Sequence, residues 1–343
     1  MALDIYGTAT LMGVVRTVKP SAPGFWLNLF GRQFTFDTEE VDFDEVMVDR
    51  RIAPLVMPTV AGVPQRDRAV TIRKYKPAYI KPLHTVNPRR TLERMPGEGF
   101  GGSMSPEQRA AALVGQYVQD QRDMIERRWE WMAARAVLDG SITLSSPTYP
   151  AATISFGRAA GHTVTLGSGS RWGDSGIKAL SNIETWAATV FQASGYPVTN
   201  VIMGTEAWAA FSADAEVRDL MKTYRGADKV GGLDIVPGSG TNIQYKGNDG
   251  SRDYWVYNDF YDADDGTATA MMSAKDVLLV NPAGLAGAKA FGAILDMDSL
   301  QAVPIFTKSY TENNPSARFI LSQSAPLMIP GRPNASLKAT VVA

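Results

Sequence analysis

From Ser105 to Gly140 the chain carries one unbroken helical pattern of about 34 residues, and a helix of that length restricts the body around it more than any other stretch. Ser105 is a good N-cap, Pro106 falls at the first helical position, and Gln108 stands where a capping box takes Glu or Gln. Gly140 closes the pattern just beyond the C-cap. Val114, Val118, Ile125, Trp129, Met132 and Ala136 recur at helical spacing, while Arg122, Asp123, Glu126, Arg127, Glu130 and Arg135 fill the other faces. Such a helix is roughly 50 Å long at its usual rise per residue. An ordinary compact domain is barely that wide, so the helix must cross an extended molecule or lie along its surface.

Composition removes several classes of function. The chain has 343 residues, which allows two domains with a core in each. Its 34 basic and 35 acidic residues leave a formal net charge of -1, so no global attraction draws it to nucleic acid. With no cysteine there is no disulfide, thiolate metal site or cysteine nucleophile. Met1 to Thr10, with Asp4 among them, lack the basic and apolar stretches of a signal peptide, and no run reaches the ~18 apolar residues of a membrane span. The expectation is a soluble, unexported chain.

Residues 1 to 24 lack any sustained period and read as an arm, which the dense apolar stretch Phe25 to Phe30 would anchor. Phe34 and Phe36, then Val41 and Phe43, alternate with polar neighbours around a turn at Asp37 to Glu40, a hairpin-like pattern. Prolines 54, 58, 64, 77, 82 and 88 keep the next stretch out of any central sheet. Within it, Arg66, Arg68, Arg73, Lys74 and Lys76 accompany the alternation of Val70 and Ile72, as in a long exposed basic two-stranded loop. By itself that pattern reads as a solvated hairpin. Residues 141 to 175 form a connector with a small hairpin, and a domain boundary is expected near 175. A helix from Ile177 to Gly195, a buried strand from Val198 to Met203 and a short helix with Trp208 and Phe211 make an α/β succession. Strands follow at Asp253 to Tyr261, Val277 to Val280, Arg318 to Met328 and Leu337 to Val342.

Candidate chemistry is sparse. Gly97-Glu98-Gly99-Phe100-Gly101-Gly102 has dinucleotide-loop spacing, but Pro96 and a charged run replace the buried strand such a loop follows, and the next helix is too long for a compact crossover. A glycine hinge fits better. Asp262 to Gly266 lacks the spacing and terminal Glu of a calcium loop and reads as a hairpin turn. His84 and His162, the only histidines, stand apart from other metal ligands and read as packed or solvent-facing rings. No G-x-S-x-G elbow or P-loop occurs. The seven tryptophans, Trp129 and Trp131 among them, suit core or interface anchors.

Pro77-Ala78-Tyr79-Ile80-Lys81-Pro82-Leu83-His84-Thr85-Val86-Asn87-Pro88, continued by Thr91 to Pro96, resembles a segment of the lambda-type tailed-phage major capsid proteins, the phage major capsid protein E family. Gln323-Ser324-Ala325-Pro326-Leu327-Met328 resembles that family's C-terminal strand, and Phe34 to Val41 and Ala53 to Pro58 stand in the right order. The likeness is dense at both ends and weak from about 145 to 290. It implies an α+β chain with the tailed-phage and herpesvirus major capsid fold. The parts would be an N-terminal arm (1–33), peripheral-domain strands (34–58), an extended loop (59–76) and a peripheral domain (77–176) with spine helix 105–139. An axial α/β domain (177–300) and C-terminal strands returning to the peripheral domain (301–343) would complete it.

The function so implied is structural: a major head protein that assembles into hexamers and pentamers of an icosahedral procapsid, which matures around packaged double-stranded DNA. The resemblance implies no catalysis, cofactor or metal, and gives Lys74 and Lys76 no acidic partner for a covalent crosslink to Asn. The expected partners are further copies of the chain, scaffold, portal and decoration proteins, with DNA enclosed but not specifically bound and no membrane. Its place would be the virion, after assembly in the bacterial cytoplasm. Arg66, Arg68, Arg73, Lys74, Phe25, Trp26, Trp129 and Trp131 are candidate contacts between subunits. Pro77, Tyr79, Lys81, Pro82, His84, Asn87, Pro88, Gln323, Ser324, Ala325 and Pro326 carry the resemblance. Two alternatives stand beside it: an encapsulin-like nanocompartment shell around an enzyme cargo, and a nucleotide-dependent enzyme using Gly97 to Gly102.

Overall fold

The computed structural model describes residues 24–46, 52–59, 61–62, 64, 70–93, 104–218, 243–263, 265–299, 301–314 and 316–343. The expected arm up to residue 23, Arg66, Arg68 and the glycine run 97–102 lie outside the described residues.

The long helix runs from Pro106 to Leu138. Its capping box is closed in both directions: the Gln108 amide donates to Ser105 Oγ at 3.2 Å, and the Ser105 amide donates to Gln108 Oε1 at 2.9 Å. At the other end Gly140 takes φ +66°. There the Arg158 guanidinium donates to the carbonyls of Val137 and Leu138, both at 2.7 Å, which supplies partners for acceptors that a helix leaves open. The two halves of the helix sit in different surroundings. Leu113, Val114, Tyr117 and Val118 bury one stripe against Val86 and Ile320, whereas Met132 to Ala134 and Ala136 to Leu138 are buried nearly all round. The helix thus starts along a surface and ends inside a core.

That core is shared with a six-stranded mixed sheet in the order Thr163–Thr165, Ser336–Thr340, Asp276–Val280, Asn200–Met203, Asp253–Tyr257, Ile243–Asn248. Its central strands are buried along their whole length, and alternate side chains serve different layers. Val201, Met203, Tyr254, Val277 and Leu279 face helices Ala179–Ser194 and Thr205–Ala213 through Ile183, Trp186 and Phe211. Ile202, Trp255, Leu278 and Val280 join the cluster that holds the end of the long helix. Each large aliphatic side chain so buried contributes about 1.5–3 kcal/mol.

Against the surface half of the helix lies a second sheet, Phe306–Asn313, Ser316–Gln323 and Leu83–Val86, antiparallel throughout. A third sheet pairs Arg32–Thr35 in parallel with Ala288–Phe291, which runs antiparallel to Pro326–Ile329. Val41–Val46 and Val70–Tyr75 form a separate antiparallel ribbon. Asp262 to Gly266 does make a hairpin turn, between Phe260–Asp262 and Ala268–Ala270, with Gly266 at φ +80°.

Several expectations change. No hairpin joins Phe34–Phe36 to Val41–Phe43: the first strand pairs with Ala288–Phe291 and the second with Val70–Tyr75, because the Asp37–Glu40 turn redirects the chain without folding it back. The loop expected at 59–76 therefore has its first leg at 41–46. The expected boundary near 175 is crossed by the pairing of Thr163–Thr165 with Ser336–Thr340. Residues 301–343 do not return as one block, since Ser336–Thr340 lies inside the six-stranded sheet while Ser316–Gln323 stays on the long helix. Likewise Ala288–Phe291, expected in the axial part, pairs with strands from both chain ends. Strand Phe306–Asn313 was not legible: its outer half is exposed on both faces, so it lacks a buried alternation.

Candidate assembly surfaces

Residues 77–88 and 318–326, far apart in sequence, meet in space. Ile80 and Ser324 exchange backbone hydrogen bonds at 2.9 and 3.1 Å, and the Ser322 amide donates to Pro82 O at 3.2 Å. Tyr79 hydroxyl accepts from the Leu295 amide at 3.0 Å and donates to Gln323 Oε1 at 2.8 Å. Gln323 Nε2 then donates to Asp296 Oδ2 at 2.5 Å, and Lys308 Nζ reaches Asp296 at 2.7 Å and Asp298 at 3.1 Å. Burial pushes the Asp296 carboxyl up, but Lys308, the Asp298 amide and Gln323 outweigh it and hold the group below its usual value. Lys308 is in turn raised, chiefly by its hydrogen bond to Asp296.

A second network ties this junction to the long helix. Fully buried Gln121 donates to Ile320 O at 2.8 Å and to His84 Nδ1 at 3.0 Å, and its Oε1 accepts from Ser322 Oγ at 2.6 Å. The backbone carbonyl fixes which end of the amide is the donor, so His84 must accept at Nδ1. Ser322 has spent its one proton, so in the 2.9 Å contact between the two hydroxyls Thr307 donates. His84 stacks on Tyr117 with centroids 4.7 Å apart, and Tyr117 Oη accepts from Arg90 at 2.7 Å. Asn87 caps the turn Pro88–Leu92 through the Arg89 amide at 3.0 Å, with Pro88 at its first position. Lys81 lies 4.8 Å from the centroid of the Tyr79 ring, Pro77 packs on Gly292, and buried Ala325 accepts from the Gly292 amide at 2.8 Å ahead of Pro326, which opposes Phe291. This is a clamp made of satisfied buried polar groups, without a nucleophile aimed at a base. Among the described residues no cluster of three or more His, Cys, Asp or Glu is placed to hold a metal.

Two apolar stretches are exposed. Ile52, Leu55 and Met57, on the segment between the ribbon's legs, are 94%, 101% and 72% exposed. Leu295 and Met297, beside Tyr79 and Asp296, are 69% and 90% exposed.

The phage major capsid protein E family matches residues 7–341. The chain belongs to that family. It is 27% identical over 338 residues to the major capsid protein of Escherichia phage lambda, covering 97% of this chain and 98% of that one. It is similar in fold to the crystal structure of a prophage protein of E. coli CFT073 described as a capsid protein, with a TM-score of 0.72 and 22% identity over 100% of both chains. The capsid of cyanophage P-SCSP1u gives a TM-score of 0.50 at 7% identity, over 94% of this chain and 89% of that one. The chain is accordingly a major head protein with an α+β fold, a structural part of the virion and not an enzyme. That membership sets aside the nanocompartment and nucleotide-enzyme readings.

The candidate contact residues of this capsid protein fare unequally. Phe25 and Trp26, expected at contacts between subunits, are buried within their own chain, packed on each other and on Tyr257 at 5.1 to 5.5 Å. Trp129 packs on Phe291 at 4.8 Å and Trp131 on Tyr261 at 6.4 Å, both half-buried within the chain. Arg73 turns inward, where a Cβ on Gly157 would strike its guanidinium, while Lys74 is exposed on the ribbon. Gln121, Glu130, Arg158 and Asp296, all central to the packing, were missed because each acts on a partner distant in sequence.

Proposed function

We propose that this head protein builds a shell of hexamers and pentamers in which the loop carried on the ribbon 41–46 and 70–75 of one subunit lies across its neighbour. The observation that carries this reading is the exposure of Ile52, Leu55 and Met57 at the end of that ribbon. The root rungs, with Val41, Phe43, Arg73 and Tyr75, pack on the body, and the three remaining rungs carry the segment roughly 10 Å further out. An apolar stretch held that far out gains nothing from its own core and is covered only by another copy. Because the loop and the surface it covers are different patches, the contact is head-to-tail and closes into rings. Lys74, with Arg66 and Arg68 on the same loop, supplies positive charge toward acidic neighbour surface, and Arg73 holds the loop root on Gly157. The long helix serves as the spine of the peripheral part and the six-stranded sheet as the axial part.

In this reading scaffold, portal and decoration proteins join the assembly in the bacterial cytoplasm, and the near-neutral wall encloses double-stranded DNA without gripping it. Replacing residues 47–69 by a short turn, which keeps both ribbon legs, tests the loop. The expected result is a folded subunit that forms no shells by electron microscopy; normal shells would overturn the role given to the loop.

A further inference from the structure

Glu130 sits in the C-terminal third of the long helix, buried, and its carboxylate accepts the amides of Trp26 at 2.7 Å and Leu27 at 2.9 Å, more than a hundred residues earlier in the chain. Those amides open the short helix Phe25–Asn28, which has no side-chain cap of its own. Gly24 packs so closely that a Cβ there would overlap the Glu130 carboxyl group, although its backbone, φ -61° and ψ 154°, is one that any residue adopts. Glycine is therefore needed at this position for space. Phe25, Trp26 and Tyr257 wall the carboxylate off from water with rings 5.1 to 5.5 Å apart. Among the described residues this acid is met by two backbone donors and by no paired cation, which is neither ordinary core nor surface.

We propose that Glu130 is the latch of the N-terminal segment: it fixes where that segment joins the body, and it makes the attachment depend on protons. Among the described residues the charged and titratable groups around it are few. Asp259 and Tyr257 approach from the sheet side and Lys289 from strand Ala288–Phe291, while Phe25–Asn28 carries none. On its own helix the neighbours one turn back are Arg127, exposed, and Glu126, which pairs with Arg122 at 2.7 Å. Burial pushes Glu130 up to about 7, the two amides and Lys289 pull it back, and Asp259 adds to the rise. A released Glu130 returns toward 4.5, so the docked segment binds the proton more tightly than the released one. Attachment is then strongest in acid and weakens as pH rises through about 7. For a shell subunit this places a pH-responsive release at the short helix Phe25–Asn28.

Hydrogen exchange of the amides in 25–30, each rate divided by its intrinsic rate, tests the latch in the full chain. Local opening should increase about tenfold between pH 6 and pH 8 in the wild type. Glu130→Gln, which cannot ionise, should abolish that dependence. A flat wild-type profile, or the same slope in Glu130→Gln, would overturn the proposal. Should Glu130→Gln fail to fold, Gly24→Ala supplies the second reading, since it leaves the carboxylate in place and pushes the segment off it. Faster exchange confined to 25–30 is expected, and unchanged protection there would contradict the latch.

Discussion

Gln121 shows how much of this subunit's order depends on single polar side chains. Its amide joins the long helix to Ile320, Ser322 and His84 at once, so truncation removes all three of these hydrogen bonds between helix and sheet together. Gln121→Ala should cost about 2–3 kcal/mol, read as a lower urea midpoint at unchanged slope. Two residues earlier, Gln119 bonds Asp123 one turn on at 2.9 Å, and Gln119→Ala should cost about 0.5 kcal/mol or less. Equal losses would mean the buried network contributes nothing particular. Neither role was legible in advance: a glutamine between apolar helix positions is equally consistent with solvent, and its partners come from strands about 200 residues away. His84 was legible as a packed ring because no ligand stood near it in sequence, and it does stack on Tyr117.

Among the elements, the long helix was the most legible because its determinants are local. Ser105, Pro106, Gln108 and Gly140 announce both ends within one turn of each. The Arg158 cap of its last carbonyls was not legible, since the side chain returns from a later hairpin. Strands were found where alternation or continuous burial marked them, as at Asp276–Val280, but their partners depend on register across the whole chain. Hence Val41–Val46 was assigned to the wrong neighbour. The same substitution at two glycines separates local from tertiary effects. Gly115 lies inside the helix with nothing near its missing Cβ, so Gly115→Ala should stabilise by up to about 1 kcal/mol. Gly140 has φ +66°, and a Cβ there would lie 2.8 Å from that of Arg158, so Gly140→Ala should destabilise by about 1–2 kcal/mol. Thermal unfolding of the two variants checks the opposite signs.

At the scale of the molecule, strands distant in sequence, Leu83–Val86 and Ser316–Gln323, pair beside the long helix, while Ile52, Leu55 and Met57 stand exposed. The family was legible because its motifs, 77–88 and 323–326, are contiguous runs in which backbone and side chains bond each other. The six-stranded sheet was not, since it rests on interchangeable Val, Ile and Leu that specify a buried strand without naming a family. The clamp is satisfied within the chain, whereas Ile52, Leu55 and Met57 are left exposed. The decisive measurement is a cryo-electron microscopy map of particles assembled from the purified chain with its scaffold. Residues 52–57 of each subunit are predicted to be covered by the adjacent copy around the capsomer ring; particles in which that segment stays exposed, or a chain that remains monomeric at high concentration with scaffold present, would contradict the account.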